Sequence, residues 1–171
     1  LLIDGGLSNV LESYGYDLNH KLWTATLLDK EPDAIIQAHL DYLKAGAQCI
    51  TTSCYQASVP GLIAAGYSKE NTEKLILRTT QLAEIAVEKA ISSGIIDSKA
   101  LIAGSVGPYG AYLADGSEYK GNYGVSDEVL KEFHHERITL LDPTNADILA
   151  CETIPSMQEA KILSEVLTEA D

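Results

Sequence analysis

The chain has 171 residues, 46% of them hydrophobic, and a formal net charge of −13 from 25 acidic and 12 basic side chains. That is the size of one ordinary domain, with enough apolar content for a real core. The charge excludes phosphate-backbone binding, which depends on clustered cations, and no apolar run approaches the roughly 20 residues of a membrane helix, so neither nucleic acid nor a membrane is expected as a partner.

Taken in chain order, short apolar runs alternate with long amphipathic segments. LLID (Leu1 to Asp4), AQCITT (Ala47 to Thr52), ALIAGSVG (Ala100 to Gly107) and ADILACE (Ala146 to Glu152) have the length and near-continuous apolarity of strands buried on both faces. The first predicted helix begins near Pro32, suited to a first turn, and stops at Gly46, with Ile35, Ile36, Leu40 and Leu43 as its inner stripe. The second follows Ser68 as N-cap, with Glu70 in its first turn, and ends at Ser92, Ser93 and Gly94. A third opens at Ser126 with Asp127 and Glu128 beside the positive helix end. The fourth shows a capping-box pattern, Ser156 with Glu159, and runs on to Asp171 without a stop signal.

Four strand–helix repeats predict an α/β fold with a parallel sheet and right-handed crossovers. A doubly wound sheet usually carries a glycine-rich phosphate turn after its first strand, and DGGLSN lacks the GxGxxG spacing. A (β/α)8 barrel needs about 250 residues, so four units amount to about half of one. The expectation is therefore a (β/α)8 TIM barrel of which residues 1–171 supply the first four βα units, as the N-terminal part of a single domain. The chain opens without a methionine inside LLID, so residues ahead of Leu1 are expected to be missing and the absent leader carries little weight.

In parallel α/β folds chemistry gathers at the carboxyl ends of the strands. Here those ends are Asp4-Gly5-Gly6, Thr51 to Tyr55, Gly104 to Tyr109 and Cys151-Glu152-Thr153. If they share one mouth, Asp4 and Glu152 suit an ammonium group and the amides of Gly5 and Gly6 a carboxylate, which together describe a zwitterionic ligand. Each residue has a plainer alternative. Glu152 is then a solvated or capping acid, and Asp4 braces the glycine turn. Cys49 and Cys151, inside apolar strands, read as core residues, whereas Cys54 either lines a pocket or fills space. His39, His134 and His135 lie on helices and read as structural or solvated. The odd cysteine number, with no CxxC or Cys/His pairing, argues against a disulfide framework and for a reducing, cytoplasmic setting.

The segment GPYGAYLADGSEYKGNYG is too long for an ordinary βα turn and points to a functional loop. Tyr109, Tyr112, Tyr119 and Tyr123 alternate with Asp115 and Glu118, a composition suited to a cationic ligand; the alternative is a loop that folds on itself.

DGG, LWTATLL with Trp23, HLDYLKAGAQCITTSCYQAS, AGSVGPYGAYLADGSEYKGNYG and LACETIPS together resemble the homocysteine S-methyltransferase family, most closely its S-methylmethionine-dependent members. The likeness covers essentially the whole chain. It implies a barrel in which zinc, held by three cysteine thiolates, activates homocysteine to attack the methyl of a sulfonium donor, S-methylmethionine or S-adenosylmethionine, giving methionine. By that resemblance Asp4 and Glu152 bind the amino group, the amides around Gly5 and Gly6 the carboxylate, and Thr52 to Cys54 line the same pocket. Tyr109, Tyr112, Asp115, Glu118 and Tyr119 are the candidates for meeting the donor.

Two departures stand out. Relatives usually carry serine or threonine where this chain has Cys54. The family's zinc ligands are one cysteine and a later adjacent pair, none of which corresponds to Cys49, Cys54 or Cys151, so the ligands are expected beyond Asp171 and the 171 residues alone are expected to be inactive. A half barrel is also expected to self-associate through its open sheet edges. A non-catalytic amino-acid-binding barrel and an unrelated barrel lyase are the alternatives, the latter weakened because no strand ends in lysine.

Overall fold

A computed structural model describes residues 1–18 and 23–170, with side chains left undescribed at 23–25 and 170. Leu22, which opens the LWTATLL stretch, and Asp171 lie outside the described residues, as does the Trp23 side chain. The elements are α1 (Leu7–Ser13), α2 (Trp23–Lys30), α3 (Pro32–Lys44), β1 (Cys49–Thr51), α4 (Val59–Ala64), α5 (Lys69–Ser92), β2 (Leu101–Val106), α6 (Tyr109–Leu113), a 3-10 turn (Ser117–Tyr119), α7 (Asp127–Leu141), β3 (Ile148–Cys151) and α8 (Met157–Ala170).

The strands form a parallel sheet in the order β1-β2-β3, with Cys49 opposite Leu101 and Ala103 opposite Ile148. LLID joins it more thinly than expected: Ile3 makes a single parallel bridge to Cys49, supported by Asp4 N–H to the Cys49 carbonyl at 3.0 Å. The fold class is thus α/β with a parallel sheet, of three strands among the described residues, and closure into a barrel is not seen in it.

Burial on both sheet faces holds for Cys49 and Ile50 of β1 and for β2 from Ile102 to Val106, and is corrected by the structure for LLID and β3. Side chains alternate across a strand, and residues in register share a face. Ile50 and Ile102 are buried with Leu43 of α3 and Ala83, Val87 and Ala90 of α5, so the helices cover that face. The other face is only partly covered: Ile3 is 62% exposed, Leu101 36% and Ile148 48%. Continuous apolarity signalled two apolar faces, but this chain's helices pack on one. Cys49 is buried as expected; Cys151 is exposed, because on edge strand β3 no described element covers it.

The predicted helices form close to their signals. Ser68 caps α5, accepting from Asn71 N–H at 3.2 Å. In α3, Ile35, Ile36 and Leu43 are buried and Leu40 half-buried beside them. Ser126 precedes α7 without a side-chain cap bond. At α8 only half of the capping box exists: Ser156 Oγ accepts from Glu159 N–H at 3.3 Å, while the Glu159 carboxylate turns inward to other donors.

Candidate functional site

The carboxyl ends of the strands open onto a cavity of about 480 Å³. Asp4, Gly5, Gly6, Thr52 and Glu152 all line it, so five sequence-selected residues from three separate segments converge. Among the described residues no Lys, Arg or His lines it, and Asp4 and Glu152 are its charged groups.

Each acid is held by a neighbouring strand end. Asp4 accepts from the backbone N–H and the Oγ1 hydroxyl of Thr51, both at 2.8 Å, which lashes the first segment to β1. Burial pushes the Asp4 carboxyl above its ordinary range; the bonds from Thr51 oppose this, and nearby Glu152 adds to it. Glu152 follows β3 and accepts from Ser105 Oγ of β2 at 2.6 Å. The residue after it, Thr153, takes a left-handed φ of 54°, an arrangement costing a non-glycine residue about 1 kcal/mol. It turns the chain just past the carboxylate. Two donors on Asp4 and one on Glu152 leave lone pairs for a further donor, since each carboxylate offers about four.

The glycine pair sits where a side chain would intrude. A Cβ at Gly5 would lie 3.1 Å from the Tyr42 hydroxyl, and that hydroxyl donates to the Gly6 carbonyl at 2.9 Å. Gly6 then precedes α1 as its N-cap, so the cavity wall here is backbone. Thr52 lines the cavity, but its hydroxyl oxygen already accepts from Ser105 N–H at 3.0 Å.

Cys54 does not line the cavity. It is fully buried, its thiol directed to the Ala57 carbonyl at 3.6 Å and pushed up in pKa by burial. It fills space, and the neighbouring Ser53 lines the cavity instead, with a buried hydroxyl that has no hydrogen-bond partner among the described residues. Strand alternation carried no signal for this choice, since Thr51, Thr52 and Ser53 line the cavity in succession. Tyr55 also lines the cavity, its phenol pushed up to about 12 chiefly by burial.

The tyrosine-rich segment divides. Tyr119 reaches the cavity and is otherwise exposed. Tyr109, Tyr112 and Tyr123 turn away from it into an aromatic cluster with Phe133; Tyr109 lies 5.0 Å from Phe133 and 5.5 Å from each of the other two tyrosines. Asp115 accepts from Ser117 N–H at 2.9 Å, bracing the turn, and Glu118 is half-buried away from the cavity lining. Of five donor-loop candidates, the structure brings Tyr119 alone to the site. The loop both folds on itself and reaches the cavity.

The helix histidines also separate. His135 is exposed; His39 is buried with neither ring nitrogen bonded, and burial takes it down to about 4, so it stays neutral. His134 is buried with its Nε2 at 2.9 Å from Glu159. Among the described residues no three His, Cys, Asp or Glu side chains are grouped to hold a metal ion. With Cys49 and Cys54 buried and Cys151 exposed, the thiols present do not fit a zinc site.

Comparison with known proteins places this geometry. Residues 1–171 match the family model described as homocysteine S-methyltransferase. The homocysteine S-methyltransferase of Escherichia coli is 45% identical over 168 residues, covering 98% of this chain and 54% of that protein. The homocysteine S-methyltransferase YbgG of Bacillus subtilis is 44% identical, covering 99% and 55%. The crystal structure of the homocysteine methyltransferase MmuM from Escherichia coli, in its metallated form, superposes with a TM-score of 0.93 at 44% identity, over 99% of this chain and 59% of that one. The chain spans about half the length of the curated relatives it matches.

Proposed function

Because the chain belongs to the homocysteine S-methyltransferase family, we propose that the complete protein transfers a methyl group from a sulfonium donor, S-methylmethionine or S-adenosylmethionine, to the thiol of L-homocysteine, forming methionine. Residues 1–171 are then the N-terminal part of a (β/α)8 barrel and carry the amino-acid cradle. The observation that carries this reading is the convergence of Asp4 and Glu152 with the Gly5–Gly6 backbone on one cavity that no cation among the described residues lines.

In this reading the ammonium group of homocysteine donates to the free lone pairs of Asp4 and Glu152, and both acids must be ionised to receive it. The backbone amides at Gly5 and Gly6 and the unpaired Ser53 hydroxyl offer donors to the substrate carboxylate. Two grips on the α-carbon substituents fix the direction in which the side-chain sulfur extends, a positional contribution to rate. Methyl transfer forms the new carbon–sulfur bond as the sulfonium bond breaks. The thiol proton goes to solvent, and the leaving group departs as a neutral thioether. Tyr119, at the cavity edge, can present its ring face to the donor cation.

The metallated state of the MmuM structure supports a metal in the complete protein, and the family resemblance names it as zinc. The thiols here do not fit it, and these residues act by binding and orientation. The reactants are small molecules. Among the described residues no helix is long and apolar enough to cross a membrane; the cytoplasm is the compartment we propose, and association of the 171-residue piece through its part-covered sheet is the expected behaviour in isolation.

The test is direct. Purified complete protein is given homocysteine and each sulfonium donor, and methionine is quantified. Methionine formed with at least one donor is expected; binding of homocysteine by calorimetry with no turnover on either donor would instead leave a non-catalytic amino-acid binder.

A further inference from the structure

Glu159 of α8 is fully buried, and nothing in the substrate cradle touches it. Its Oε1 accepts from the backbone N–H of Tyr109 at 2.6 Å and from His134 Nε2 at 2.9 Å; its Oε2 accepts from the Tyr123 hydroxyl at 2.8 Å. Tyr109 begins α6, and Tyr123 lies past the 3-10 turn, so a single carboxylate bonds both ends of the tyrosine-rich segment. Burial pushes Glu159 up, but the bonds from His134, the Tyr109 amide and Tyr123 outweigh it and leave it ionised below its ordinary range. His134, pushed down chiefly by burial, is neutral and donates through Nε2.

Between those ends the segment has little freedom. A Cβ at Gly110 would come within 2.4 Å of the Glu118 backbone nitrogen, and one at Gly121 within 2.9 Å of the Pro155 carbonyl. The loop is therefore folded onto itself and onto the lead-in to α8. Beneath it the buried Arg137 guanidinium donates to the carbonyls of Gly107 and, at 3.4 Å, Tyr55, and lies 5.2 Å from the Phe133 ring centre. Gly107 leads into the loop and Tyr55 lines the cavity. The buried layer thus grips each backbone segment that frames Tyr119.

We propose that Glu159 is a positioning residue for the sulfonium donor: by bonding Tyr109 and Tyr123 together it fixes the stem of the loop, and so sets where Tyr119 stands at the cavity edge. The identity of the donor rests on the function proposed above; the tether does not. In that reading homocysteine is held by Asp4, Glu152 and the glycine turn, whose hydrogen bonds run to Thr51, Ser105 and Tyr42 and not to Glu159. Loss of the tether affects the two substrates unequally.

Tyr123→Phe in the complete protein separates these roles, because it removes one hydroxyl and keeps the ring in the aromatic cluster. The Michaelis constant for the sulfonium donor is expected to rise roughly tenfold or more, the worth of one hydrogen bond to a charged group, with that for homocysteine within about twofold. Amide exchange across residues 110–119 is expected to quicken by a similar factor. Glu159→Gln, which keeps an acceptor for the Tyr109 amide, should fall between wild type and Glu159→Ala in both readouts. An unchanged donor constant with unchanged exchange in Tyr123→Phe would overturn the proposal, as would equal rises for both substrates. If the wild-type protein uses no sulfonium donor at all, the functional reading fails separately, and exchange in the loop alone decides the tether.

Discussion

Two places in this molecule draw carboxylates out of solvent, half-buried at the cavity and fully buried behind the tyrosine-rich loop, and they satisfy them in opposite ways. At the cavity, Asp4 and Glu152 receive bonds from Thr51 and Ser105 and keep lone pairs unfilled beside a solvent-reachable space. Behind the tyrosine-rich loop, Glu159 receives three donors and faces no cavity. The cost of burying an ion falls only as its hydrogen bonds are made, so the second site is complete in itself and the first is complete only with a ligand. An undersaturated pair marks binding; a saturated single acid marks architecture.

The widest separation between the two should come from truncation. Glu159→Ala would leave the Tyr109 amide, the Tyr123 hydroxyl and His134 without their acceptor, and should destabilise the complete protein by about 3 kcal/mol or more in denaturant unfolding. A loss below ~1 kcal/mol would remove the claim that this acid is architectural. At the cavity, Glu152→Gln should change stability by less than ~1 kcal/mol, because only the Ser105 bond is at stake, yet raise the Michaelis constant for homocysteine at least about tenfold. An unchanged constant would sink the ammonium-binding role.

The smallest effect is expected from pH. Asp4 is raised by burial and by Glu152, so its protonated form is favoured in the fold, and it loses its charge at a higher pH than a free aspartate does. Homocysteine affinity should therefore begin to fall on acidification while Glu159, whose value is lowered, is still ionised and the fold intact. For Glu159 the sign runs the other way: its contribution to stability is full above the unfolded value of 4.5 and is lost as pH falls through its lower folded value. Calorimetric binding and thermal unfolding measured over the same acidic range should separate, with binding lost first. Simultaneous loss would mean that the two acids do not differ in the way the geometry requires.

Much of the candidate site could be read from the sequence because strand ends are local. A parallel α/β pattern places its carboxyl ends together, so Asp4, the glycine pair, Thr52 and Glu152 could be chosen without knowing any contact. Ser53 and Cys54 could not be separated that way. Both are small and adjacent, and which one faces the cavity depends on how the chain leaves β1. The tyrosine-rich loop was legible as unusual, not as divided: Phe133 of α7 packs against Tyr109 and Tyr112, and Tyr123 packs against Tyr109, which leaves Tyr119 for the cavity. Cys151 was misread because apolar neighbours in sequence do not guarantee cover in space.

The sequence by itself determined the alternation of strands and helices, the cap at Ser68 and the first-turn proline Pro32, and the acids at the strand ends, since each depends on residues within a turn or two of one another. Only the tertiary structure decided that Glu159, spaced from Ser156 as a local capping acid, would instead hold Tyr109, Tyr123 and His134. A carboxylate drawn into a core goes to whichever donors the packing leaves unpaired, and those donors come from residues 25 to 50 positions away.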